Sequence, residues 1–126
     1  MNLVDSSGWL EYFADGPNAD FFSAPIEDVN NLIVPTLCLL EVFRRILQQR
    51  GEDSALQAVA LMYQGQIIDL DASIALSAAK IGVDLKLPLA DSVILATARA
   101  QNAVIWTQDS DFKDMDGVKY IAAKKR

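Results

Sequence analysis

Five carboxylates in this chain sit in or beside apolar runs, where an ionised side chain is costly. They are Asp5 in NLVDSSGWLEYF, Glu41 in PTLCLLEVFRRIL, Asp91 in LPLADSVILATARA, and Asp109 with Asp111 in VIWTQDSDF. The 126 residues include no histidine and a single cysteine, Cys38. That composition removes Ser-His and Cys-His nucleophilic systems and every zinc site built on imidazole. Hydrolytic chemistry is left to carboxylates, hydroxyls, lysines or a bound metal. Two carboxylates about 4 Å apart repel by roughly 4 kcal/mol at an effective dielectric of 20, so several meeting in one place need raised pKa values or a compensating cation. An all-oxygen donor set suits Mg²⁺ or Mn²⁺ rather than zinc or copper.

Whether the acids meet depends on the elements that carry them. Residues 2–5 read as a short strand running into Ser6-Ser7, a helix start. Asp15-Gly16-Pro17 breaks that helix, and a second short helix is expected over 19–23. Residues 32–34 form a second strand closed by Pro35. From Thr36 to about Gln49 the residues Leu37, Leu40, Arg44 and Leu47 keep the helical period, until Gly51 stops it. A helix capped at Asp53 or Ser54 runs through Tyr63, a third strand spans 66–70, a helix spans 72–83, and Pro88 opens the next helix. Residues 104–107 make a fourth strand and 118–121 a fifth at the sheet edge, with 122–126 expected as a solvated tail. Short apolar strands alternating with helices predict an α/β fold. The form expected is a single-domain, three-layer α/β/α sandwich with a mostly parallel sheet of four to five strands. Right-handed crossovers bring the strand-to-helix turns of such a sheet out at one edge, where ligands bind.

Asp5 ends the first strand at that edge. Asp109 and Asp111 follow the fourth strand by two and four residues, and Asp91 lies in the first turn of a helix that begins on the same side. Glu41 is the weakest member, about 9 Å down its helix at 1.5 Å per residue, and reaches the cleft only if that helix leans over the sheet. Each acid also has a local role open to it. Asp5 can cap the next helix, Glu41 can pair with Arg45 at i,i+4, and Asp91 can face the positive end of its helix dipole, worth about 0.3–1 kcal/mol. Asp109 and Asp111 can cap the turn into Phe112. None of these local roles accounts for the joint arrival at one edge.

A hydrophobic content of 52% supports a sizeable core, and Cys38 reads as a buried thiol. No apolar run is long enough to span a bilayer and no signal-peptide pattern opens the chain, so a cytoplasmic location is expected. The net charge of −6 argues against general coating of nucleic acid. The charge is uneven, however: seven acids and no Lys or Arg precede Arg44, while four of the last eight residues are basic.

The segments NLVDSSGWLEYF, PTLCLLEVFRRIL, LPLADSVILATARAQNA and VIWTQDSDF, in this order, resemble a PIN-domain ribonuclease of the VapC toxin type. The resemblance covers nearly the whole chain. It implies that Asp5, Glu41, Asp91 and Asp109 form an acidic quartet binding one or two Mg²⁺ or Mn²⁺ ions, with Asp111 as an additional acid. It also implies that Ser6 and Thr107 orient water or carboxylates. The activity implied is metal-assisted hydrolysis of RNA phosphodiesters, with Arg44, Arg45, Arg99 and Lys113 as candidate phosphate contacts. The implied partners are RNA, a cognate antitoxin and a second copy of the chain. Trp9, Tyr12, Phe13, Phe21 and Phe22 are candidates to line an antitoxin groove, and Leu56, Val59, Ala60 and Tyr63 to form a dimer face. Two other readings compete within the family: a PIN nuclease of RNA processing, and a non-catalytic PIN-like binding module. An aspartyl-phosphate enzyme fits poorly, because its motif wants a second Asp where this chain has Ser7.

Overall fold

The computed structural model describes residues 1–125. Five strands form one sheet: β1 (Asn2–Val4), β2 (Leu32–Pro35), β3 (Gln66–Ile68), β4 (Val104–Thr107) and β5 (Val118–Tyr120). They lie in the order β3-β2-β1-β4-β5 and every pairing is parallel. The three central strands carry Leu3, Val4, Ile33, Val34 and Ile105, all essentially closed to solvent, as continuous apolar strands covered on both faces require.

Six helices cover the sheet: α1 (Ser6–Phe13), α2 (Ala19–Glu27), α3 (Thr36–Arg50), α4 (Glu52–Met62), α5 (Ala72–Leu85) and α6 (Leu89–Ala100). The chain steps outward in one direction from β1 to β3 and returns across the sheet to β4. Right-handed crossovers therefore put α1–α4 on one face and α5 and α6 on the other. The helix contacts follow that division, with α1 on α2, α3 on α4 and α5 on α6. α1 and α2 approach very closely. A Cβ on Gly8 would stand 2.6 Å from the Phe22 ring and 2.7 Å from Val4, and both neighbours are fixed in the core.

Most expected elements are present with shifted ends. α2 continues through Pro25 to Glu27, beyond the expected stop at Ser23; burial of Pro25 and Ile26 in the core offsets the backbone hydrogen bond that proline forfeits. α4 begins at Glu52 rather than after an Asp53 or Ser54 cap, with Gly51 as the residue before its first turn at φ +88°. β3 ends at Ile68, and the Leu70 N–H turns to the Thr36 hydroxyl at 3.2 Å. α5 runs to Leu85 because Lys86 takes the left-handed conformation and closes the helix without a glycine. Of the expected C-terminal tail, Arg126 lies outside the described residues. Ala122 is held by its carbonyl, which accepts from Asn18 Nδ2 at 3.0 Å.

Cys38 is fully buried, and burial pushes its thiol well above the usual range, so it is an inert core residue. Among the described residues no helix is long and apolar enough to cross a membrane.

Candidate active site

Asp5 is the residue at which β1 becomes α1, and it serves both. Its extended backbone makes it the N-cap of α1, with Oδ1 accepting from the Gly8 N–H at 3.0 Å and from the Ser7 hydroxyl at 2.7 Å. Its other oxygen, Oδ2, accepts from Thr107 Oγ1 at 2.5 Å, across the β1–β4 pairing. The side chain is only 5% exposed, and burial raises its pKa above the ordinary carboxylate value against the opposing pull of these hydrogen bonds. The local capping role and the position at the cleft are thus both realised in one residue.

Thr107 ends β4 fully buried and links two acids. Its hydroxyl donates to Asp5 and accepts from the Asp109 N–H at 2.9 Å. Asp109 caps the short 3₁₀ turn Ser110–Phe112 through Oδ1, which accepts from the Asp111 N–H at 2.9 Å, while Phe112 anchors that turn in the core. Asp91 stands in the first turn of α6, whose residues Ser92–Ala98 are all buried. Carboxylate oxygens of Asp91, Asp109 and Asp111 lie within 4.8 Å of one another. Burial first, and then the neighbouring Asp109 and Asp111 carboxyls, push the Asp91 pKa up to about 8.

Glu41 reaches the same place because α1 packs against α3. Ser6, the first residue of α1, donates its hydroxyl to Glu41 Oε1 at 2.8 Å. The alternative i,i+4 pair with Arg45 is not made: the one ion pair among the described residues is Lys80–Asp84. Asp5, Glu41, Asp91 and Asp109 line one cleft of about 260 Å³ together with Ser6, Ser7, Leu10, Ala90 and Ile94. Asp111 is exposed at its rim, and no basic residue lines the cleft. Asp71, after β3, is engaged in capping α5 through the Ile74 N–H.

Two participants escaped the reading of the sequence. Ser7, taken there only as part of a helix start, holds Asp5 and also accepts from the Gln108 N–H at 3.4 Å. Asn18 is buried and bridges Gln108 to Ala122 through its amide nitrogen, while its own N–H donates to Glu11. The doubled serine after Asp5 was a signal for the first; an asparagine in a Gly-Pro-Asn break gave none for the second. The five aromatics expected along a groove divide. Trp9 and Phe22 are fully buried core residues, Tyr12, Phe13 and Phe21 are half-buried against the core, and of the five only Phe13 borders hollows, one of which adjoins the cleft through Ser7 and Leu10. Of the expected phosphate contacts, Arg44 and Arg45 border a hollow shared with Ser6 and Glu41, whereas Arg99 lies in the last turn of α6, about 12 Å along the axis from Asp91.

Residues 3–118 match the PIN domain, and the chain belongs to the PIN domain family. Its fold is close to that of solved members of toxin–antitoxin systems. A toxin–antitoxin complex from Klebsiella pneumoniae matches with a TM-score of 0.81 at 21% identity, over 94% of this chain and 96% of that one. VapC20 of Mycobacterium tuberculosis, a toxin that cleaves the sarcin–ricin loop, matches at 0.76 and 16% identity, over 92% and 95%. VapBC2 of Rickettsia felis, bound to a DNA fragment from its promoter, matches at 0.74 and 13% identity, over 96% and 97%. No curated protein matches this chain in sequence.

Proposed function

We propose that this protein is a divalent-metal-dependent ribonuclease of the VapC toxin type, hydrolysing RNA phosphodiester bonds and restrained by a cognate antitoxin. The observation that carries the proposal is the set of four acids, Asp5, Glu41, Asp91 and Asp109, on one cleft with no basic residue among its lining. Such a concentration of negative charge needs either protons or cations, and Asp91 already answers with a raised pKa. The donor set is oxygen throughout, in a chain without histidine, which fits Mg²⁺ or Mn²⁺. Asp91, Asp109 and Asp111, whose carboxylate oxygens lie within 4.8 Å of one another, would hold an ion, with Asp5 and Glu41 available as further ligands on the same cleft. When bound, the metal supplies a Lewis acid that polarises the phosphoryl oxygen and lowers the pKa of water.

The protein's own residues provide orientation. Thr107 and Ser7 fix both oxygens of Asp5, Ser6 fixes Glu41, and the Thr107 hydroxyl sets the start of the Asp109 turn. Shared donors on rigid strand and helix ends keep these carboxylates in place without an ion. RNA as substrate and an antitoxin as partner are supported by the solved neighbours, which include a toxin acting on the sarcin–ricin loop and antitoxin complexes. The protein is read further as a cytoplasmic homodimer. Leu56 on α4 and Tyr63 at its C-terminal cap remain exposed, at 50% and 61%, in keeping with an apolar face open to a second copy.

The test is cleavage of a panel of structured and single-stranded RNAs by the purified protein with Mn²⁺ or Mg²⁺. Cleavage is expected with either ion, to stop on addition of EDTA and to fall by roughly 10³-fold in Asp109→Asn, as when a group aimed at developing charge is removed. A wild-type protein inert on every RNA, or an Asp109→Asn variant as active as wild type, would contradict the assignment.

A further inference from the structure

On the face covered by α1–α4, positive charge beside the acidic cleft comes from α3 alone. None of the first 43 residues is Lys or Arg, so α1 and α2 bring no cation to it. α3 brings three: Arg44, Arg45 and Arg50, all exposed. Arg44 and Arg45 border a hollow of about 410 Å³ that shares Ser6, Leu10 and Glu41 with the cleft. Arg45 and Arg50 border a second hollow of about 300 Å³, which shares Ser7 and Leu10 with the cleft and adds Gln49 and Gln108. Leu10 is common to all three spaces and Arg45 to the two flanking ones, so the cleft and both hollows form one trough along α1 and α3.

These guanidinium groups are not used within the fold. Glu41 precedes Arg45 by four residues, the spacing at which a helical ion pair forms, and Glu11 lines the same hollow as Arg45 and Arg50. Yet Glu41 accepts from Ser6, Glu11 accepts from the Asn18 backbone, and Lys80–Asp84 is the one ion pair among the described residues. Exposed arginines beside an acidic centre, with nearby carboxylates turned to other partners, are placed to take phosphate oxygens from outside.

Resting on the nuclease reading above, we infer that Arg44, Arg45 and Arg50 form a phosphate rail along α3 that holds the single-stranded RNA backbone flanking the scissile bond. The rail offsets the repulsion a polyanion meets at an acidic chain, and it sets the side from which the strand crosses the cleft.

Initial rates of Mn²⁺-dependent cleavage of a single-stranded RNA, measured across a series of KCl concentrations, test this. Arg44→Gln/Arg45→Gln/Arg50→Gln is expected to raise KM about tenfold or more with a smaller change in kcat. It should also make the fall of log(kcat/KM) with log[KCl] shallower by roughly 0.7 for each phosphate that an arginine no longer neutralises. Arg99→Gln, at the far end of α6, is expected to keep the wild-type KM and slope. A triple variant with the wild-type KM and salt slope would overturn the rail while leaving the nuclease reading intact; that is also the result expected if the trough serves an acidic segment of a protein partner instead. If the wild type cuts no RNA, the nuclease reading fails, and fluorescence anisotropy with labelled poly-U decides the rail. Binding weakened in the triple variant upholds it, and equal binding or none overturns it.

Discussion

Asp91→Asn is expected to abolish RNA cleavage, by roughly 10³-fold or more, while making the metal-free protein more stable. The two effects share one cause. Asp91 stands at the start of a helix buried along most of its length, facing Asp109 and Asp111, and its pKa is pushed from 3.8 up to about 8. A carboxyl whose folded pKa lies above its unfolded value makes the folded state bind more protons than the unfolded state. The Asp91 contribution to stability is therefore fully present below about pH 4, is lost as pH rises from about 4 toward 8, and is gone above that. The neutral amide removes this slope and can donate to the carboxylates that Asp91 repels. Because Asp91 is partly open to solvent, the gain at pH 8 is discounted to about 1–2 kcal/mol, or roughly 5 °C in Tm. With Mn²⁺ present the order reverses, since a ligand held by the folded state alone stabilises the wild type. Thermal melts at pH 5 and pH 8, with EDTA and with Mn²⁺, check all four conditions. A variant less stable than wild type in EDTA at pH 8 would show that the carboxylate has a structural partner instead.

Thr107→Val is expected to lower stability by roughly 2–4 kcal/mol, about 10 °C in Tm, and to impair cleavage without removing any acid. Valine matches threonine in shape, so the loss is confined to the hydroxyl. That hydroxyl donates to Asp5 Oδ2 and accepts from the Asp109 N–H, at a site fully closed to solvent. Losing it leaves a buried carboxylate oxygen and a part-buried backbone donor without those partners. Burial then raises Asp5 further, because the hydrogen bond that opposes its rise most strongly is gone. The pH at which half-maximal cleavage is reached should therefore move upward, and Thr107→Ser should restore much of both properties. A valine variant with wild-type Tm would mean that the hydroxyl bridge carries no net stability.

The sheet and the site were legible to different depths in the sequence. β4 was readable to the residue, because VIWT is a short apolar run between polar turns. Asp5, Asp91 and Asp109 could be placed because each is fixed by its position relative to a strand or helix end, which topology alone brings to one edge. Glu41 could not, since its direction depends on α1 packing across α3, a contact between segments 35 residues apart. The same limit hid Ser7 and Asn18, which share Gln108 as a partner 90 or more residues away in the chain. The end of α5 was missed for a local reason: Lys86 adopts a conformation usually reserved for glycine. The aromatic residues misled in the other direction. Helical spacing does not separate an aromatic that faces the core from one that faces a groove, and in α1 Trp9 is buried while Phe13, stacked on it at 5.7 Å, borders the hollows.

Calorimetric titration of Mn²⁺ into the metal-free protein at pH 7.5, in two buffers of different ionisation enthalpy, bears most directly on the assignment of this cleft as a cation site. Asp91 retains its proton to about pH 8, so Mn²⁺ binding should release a proton and the apparent enthalpy should differ between buffers. Asp91→Asn and Asp109→Asn should each lose most of the affinity. Absence of binding to wild type, or equal binding by wild type and Asp109→Asn, would contradict the account.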